Sequence, residues 1–132
     1  MTDNDQTIEQ QIQSKGLTAP RITPDDIEAC IASEHYFTAF DGCVCPGENN
    51  PGENNKWAQD WEVTRSIEAL DLLTFCVLVL RNSFTITGES ACASPENFDP
   101  EIGRQIARSK AKEKIWLLEG YLLRQRLHDQ TE

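Results

Sequence analysis

Arg104, Arg108 and Lys112 recur at steps of four, a spacing that stacks three cations on one side of a helix. A guanidinium offers paired donors in a planar fork, so two of them one turn apart can grip a diphosphate. An aromatic ring nearby would stack on a base or ribose, and a side-chain amide would read a polar edge. The same cations have a plainer use. Glu101, Glu113 and Glu119 lie close enough along the helix to neutralise them as an ordinary solvated face.

At about 100° per residue, Ile102 and Ile106 fall opposite this cationic stripe. The expectation is that the isoleucines bury and the cations point away from them, toward solvent or a neighbouring chain. Ile115 and Leu122 return to the cationic side farther along, as expected where another subunit packs.

Catalysis has no comparable signature. There is no Gly-rich phosphate loop, no nucleophile elbow and no His-carboxylate-nucleophile set at a recognisable spacing. A binding protein is expected, with no catalytic residue. The five cysteines are Cys30, Cys43, Cys45, Cys76 and Cys92. Cys43 and Cys45 would supply two thiolates, but no second Cys/His pair stands at a zinc-like distance, so neither metal nor cofactor is expected. An odd cysteine count with no secretory signal before it points to a reducing cytoplasm.

The charge balance narrows the partners. Net charge is −10, with 5 Lys/Arg against 17 Asp/Glu over residues 1–99 and 7 against 5 over residues 100–132. Binding to a nucleic-acid polymer needs cations to displace counterions, so an acidic body argues against it. A small anionic ligand held by a few arginines remains compatible. The longest apolar run, Leu72–Leu80, is far short of the roughly 20 residues a membrane helix needs.

The elements that must position the cations can be read from the same sequence. At 132 residues there is material for one core. Residues 1–22 read as a flexible polar segment, with a short helix over Ile8–Ile12, and 23–132 as one α+β domain. Thr23, Pro24, Asp25 and Asp26 open a helix whose apolar stripe is Ile27, Cys30 and Ile31. His35, Tyr36, Phe37 and Phe40 come next as core aromatics where the chain turns toward Asp41-Gly42. The tandem PGENNPGENN of Pro46–Asn55 predicts a surface loop over 45–56, and Trp57 and Trp61 restart order in a short helix ending near Leu70.

LTFCVLVL, Leu73–Leu80, predicts a strand hidden on both faces. Arg81-Asn82-Ser83 forms the turn, with Asn82 at positive φ, and the returning strand places Phe84 and Ile86 on one face. The fold class is therefore α+β: an N-terminal helix, a small antiparallel sheet around the hairpin 73–87, and a long C-terminal helix over 100–127 capped by Asp99.

The run from Leu72 to Leu127 also resembles a family of small tailed-phage proteins, the gene-49/gene-66 phage protein family. The resemblance rests on Arg81–Ala91, Asn97-Phe98-Asp99, Ile102–Ala107 and Lys114–Leu122. The one small departure is Ser83, where the family's turn has Gly. In layout the chain is further similar to a class of Thoeris anti-defence proteins, which are oligomeric sponges. These sequester cyclic ADP-ribose isomers, and some hold cyclic oligonucleotides, without cleaving them. That likeness implies a ligand site of an aromatic, an amide and an arginine pair, here Phe84, Asn97, Arg104 and Arg108; on the sponge reading Thr85 and Thr87 would assist them. It also implies a homo-oligomer, a hexamer in that class, working in the host bacterial cytoplasm. Two rival readings stand beside it: an acidic, DNA-mimic-like inhibitor of a host protein, and a small structural phage protein.

Overall fold

The computed structural model describes residues 2–43 and 63–131, so the PGENN repeat and Trp57/Trp61 lie outside the described residues. The element order is α1 (Thr2–Ser14), α2 (Pro24–Cys30), β1 (Ile31–Thr38), α3 (Ala39–Cys43), α4 (Val63–Asp71), β2 (Leu73–Leu80), β3 (Thr85–Ala91) and α5 (Pro100–Gln130). A 3-10 turn at Pro95–Asn97 leads into α5. The three strands form an antiparallel sheet in the order β1-β2-β3, so the fold is α+β.

Local chemistry sets the helix starts. The Thr23 hydroxyl accepts from the Asp26 amide while the Asp26 carboxylate accepts from the Thr23 amide, a reciprocal cap that opens α2. Asp99 accepts from the amides of Glu101 and Ile102 and opens α5, with Pro100 in its first turn. A forked ion pair between Glu9 and Arg21 ties α1 to the segment that enters α2.

The sequence does not announce β1. Ile31 is not the end of a helical stripe but the first residue of a strand, and Tyr36 and Phe37 lie on opposite sides of the sheet. The IASEHYFT run alternates without a long apolar stretch, because β1 is an edge strand with few buried positions. Paired with β2 from Ile31–Leu80 to Thr38–Thr74, it supplies the partner that an isolated hairpin lacks.

β2 is buried on one face, not on two. Thr74, Cys76, Leu78 and Leu80 are buried against helices, whereas Leu73, Phe75, Val77 and Val79 are half-buried on the opposite face. The core joins Cys76, Leu78, Leu80 and Ile86 to Ile27 of α2 and to Ala107, Ala111 and Ile115 of α5.

The turn also differs in detail. Ser83, not Asn82, takes positive φ, at 73°. Asn82 instead accepts the Phe84 amide on its side-chain oxygen at 3.0 Å. A left-handed serine is strained, which explains why glycine suits that position in the related pattern. Ile86 is buried as expected, but Phe84 precedes the strand and is exposed.

The largest correction concerns the roll of α5. Ile102 is exposed, while Gly103, Ala107, Ala111, Lys112 and Ile115 are buried. The helix lies on the sheet by its small residues because β3 has Gly88 beneath it. A methyl group at Gly88 would sit 2.1 Å from the Ala107 carbonyl oxygen and 2.5 Å from the Ala111 nitrogen. Helix and strand backbones meet there, and a larger side chain on either would hold them apart.

Two substitutions test this geometry by chemical denaturation. Gly88→Ala should destabilise the fold by about 3 kcal/mol, since backbone cannot yield as a flexible side chain can. Ser83→Gly should stabilise it by about 0.5–1 kcal/mol, as relief of the left-handed strain outweighs the added freedom of the unfolded chain.

Candidate functional site

With the small residues of α5 on the sheet, its cations lie along the flank of the buried face, toward α2 and β1. Arg108 reaches across that gap. Its Nη2 and Nη1 donate to the two carboxylate oxygens of Glu28 at 2.8 and 3.3 Å, and its Nε donates to Glu34 at 3.1 Å. Lys112, almost wholly buried, donates to Glu28 at 3.0 Å and stands 4.0 Å from Asp5. The Tyr36 hydroxyl donates to Glu34 at 3.0 Å. One chain of charge-assisted bonds thus joins α2, β1 and α5, with Asp5 of α1 at ion-pair distance from Lys112.

The electrostatics stem from this pairing. Hydrogen bonding to Arg108 holds the Glu28 carboxyl below its ordinary value of 4.5, against the opposing effect of burial. Glu28 raises Arg108 in return, fixing it as a permanent cation. Burial, and then the bond to Glu34, push the Tyr36 hydroxyl up. Burial likewise pushes the Cys30 thiol up to about 11, with Glu119 adding to it, so Cys30 is a poor nucleophile.

Arg104 is held differently. Its Nη2 donates to Glu101 at 2.9 Å in an exposed pair within the helix. Such pairs contribute little and exchange readily. Arg104 and Arg108 therefore share a stripe but not a condition: one is free to rearrange, the other is clamped by two carboxylates.

Asn97 ends the 3-10 turn just before α5, exposed and near the Arg104 end of the helix. Phe84 is at the other end of the sheet. Gly103 packs on Thr74, which pairs with Ser90, and from Ser90 back to Phe84 the strand runs roughly 20 Å. Thr85 and Thr87 pair with Val79 and Val77 on the face turned away from α5. Within one chain, Arg104 and Arg108 lie one turn apart on α5, Asn97 precedes that helix, and Phe84 is remote.

Two clefts among the described residues lie elsewhere. A cleft of about 400 Å³ opens between α1 and α5, with Ile8, Ile12, Ile22 and Trp116 in its walls and the Glu9–Arg21 pair beside them. A second, of about 530 Å³, lies along Leu17–Arg21. Neither is lined by Phe84, Asn97, Arg104 or Arg108. Among the described residues, no group of three or more His, Cys, Asp or Glu side chains converges as a metal site would require. No helix among them is long and apolar enough to cross a membrane.

Sequence spacing does not reveal Glu28 and Glu34 as partners of Arg108. They lie 80 and 74 residues away in sequence, and the helical neighbours Glu101, Glu113 and Glu119 are the candidates that spacing can offer. Only the pairing of β1 with β2 brings Glu34 within reach.

A helix packed on a three-stranded antiparallel sheet, with a self-neutralised charge cluster at its flank, defines a small α+β protein built around a cation-bearing helix. The chain belongs to the phage protein (N4 Gp49/phage Sf6 gene 66) family, whose model matches residues 22–127, from the start of α2 through most of α5. No curated protein and no solved structure matches it.

The Arg108 clamp predicts an acid response. Because Glu28 titrates below its unfolded value, its stabilisation is complete above about pH 4.5 and is lost as pH falls through the lowered value. Arg108→Met should cost roughly 1–2 kcal/mol at neutral pH, the partly exposed Glu28 limiting the loss. It should also flatten the loss of stability toward pH 3, measured by urea melts across that range.

Proposed function

We propose that this phage protein is a non-catalytic sponge that sequesters cyclic nucleotide immune signals, cyclic ADP-ribose isomers first among them, in the host cytoplasm. The reading draws on the similarity of its layout to Thoeris anti-defence proteins. The observation that carries it is the contrast between the two arginines. Arg104, paired with Glu101 across an exposed turn, can trade it for a phosphate at small cost. Arg108, fixed by Glu28 and Glu34, is the rigid neighbour one turn farther along the helix. Asn97 is set to orient a polar edge of the ligand. Phe84, remote within its own chain, would stack on a ligand only at a boundary between copies. Sequestration needs tight enclosure and no acid–base pair, and none is assigned.

A second reading has an observation of its own. Asp25, Glu68, Glu89 and Glu96 remain exposed on the acidic body, a surface suited to a basic patch on a host protein. Under that reading a pull-down recovers a basic partner and no nucleotide.

Calorimetry and thermal shift with cyclic ADP-ribose isomers, cyclic dinucleotides and cyclic trinucleotides separate the two. The sponge reading expects a clear rise in melting temperature with at least one of them and recovery of that ligand intact after denaturation. Arg104→Ala should weaken uptake at least tenfold with an unchanged circular dichroism spectrum, and Phe84→Ala should weaken it too. Wild-type protein that takes up none of these ligands, or an Arg104→Ala protein that binds as the wild type does, contradicts the reading.

A further inference from the structure

α5 is far longer than the sheet it covers. Ile115 is its last buried residue, and Trp116–Gln130 continues for about 22 Å beyond that point. Fifteen residues of helix are marginal alone in water. Yet this overhang carries Leu117 and Tyr121, 77% and 70% exposed, the two most exposed large hydrophobic side chains among the described residues. They are four apart and so share one face. Between them Gly120 has open space above it. Glycine weakens an exposed helix by about 1 kcal/mol relative to alanine, a cost that close approach of another helix would offset.

The flanking charges say which helix. Glu113 lies one turn before Leu117, and Arg124 lies one turn after Tyr121, on the same face. Neither has an ion-pair partner among the described residues. A parallel pair of such helices would set Glu113 against Glu113 and Arg124 against Arg124. An antiparallel pair reverses one copy and places opposite charges together at both ends of the apolar centre. The pattern is self-complementary about a two-fold axis near residues 118–119, which is the requirement for an isologous interface.

We infer that α5 pairs antiparallel with α5 of a second copy, through Leu117, Gly120 and Tyr121, with Glu113 of each copy meeting Arg124 of the partner subunit. Leu118 and Leu122, also exposed, widen the apolar strip along the side that covers the sheet farther back. Global charge favours the same arrangement. The chain carries −10 in all, but residues 116–132 hold two arginines against three carboxylates, a balance of only −1. Antiparallel overhangs join the nearly neutral ends and keep the acidic bodies at opposite sides. The inference stands apart from the ligand reading, because no nucleotide enters it.

Sedimentation equilibrium of the full chain tests it. Wild-type protein should give twice the chain mass, or a larger even multiple, and Leu117→Asp/Tyr121→Asp should halve it while cooperative urea unfolding of the core is retained. Glu113→Arg alone and Arg124→Glu alone should each raise the dissociation constant roughly tenfold or more, since each reversal strikes two symmetric contacts. The double reversal should restore it toward the wild-type value. A single-chain mass at every concentration overturns the inference, as does a double reversal no better than either single one. Association that survives Leu117→Asp/Tyr121→Asp assigns the interface elsewhere and overturns it too.

Discussion

Two backbones meet at Gly88, and the rest of the molecule is arranged around that contact. Gly88 on β3 lets α5 descend until its Ala107 and Ala111 turns touch the strand. That descent selects Gly103, Ala107 and Ala111 for the sheet-facing side at the contact and leaves Ile102 exposed. Once the roll of the helix is fixed, the positions of every cation on it are fixed as well. Arg108 and Lys112 come down beside α2 and β1, where Glu28 and Glu34 receive them. Arg104, one turn nearer the helix start, pairs with Glu101 alone among the described residues.

This division of labour is physical before it is functional. A guanidinium bound by two carboxylates presents little net potential and resists exchange. One held by a single solvated carboxylate presents more and exchanges freely. The helix thus carries a structural arginine and an available one on successive turns. Its distal half begins with Trp116, packed against the core, and runs on past the last buried residue with Leu117 and Tyr121 exposed.

Much of the fold is legible in the sequence because the signals are local. The caps at Thr23 and Asp99, the hairpin and the length of α5 each depend on a few adjacent residues, and each is present. β1 is not legible, since an edge strand of mixed polarity has no long apolar run to announce it. The roll of α5 is easily misread for a related reason. Hydrophobic periodicity weights Ile102 and Ile106 above Gly103 and Ala107, yet at a backbone-to-backbone contact the smallest side chains are the buried ones. A Gly-x-x-x-Ala-x-x-x-Ala spacing is the available clue. Of the candidate site, the arginine pair is visible as spacing, but its long-range carboxylate partners depend on tertiary pairing that no local pattern encodes.

The side of α5 that faces Gly88 decides where every one of these groups lies. Nuclear Overhauser contacts from the Gly88 α-protons can read this without any substitution. Strong contacts to the methyl groups of Ala107 and Ala111 are predicted. Contacts to the side chains of Ile102 and Ile106 in their place would mean that the helix is rolled to its other face, with Arg108 released from Glu28, and would contradict the account.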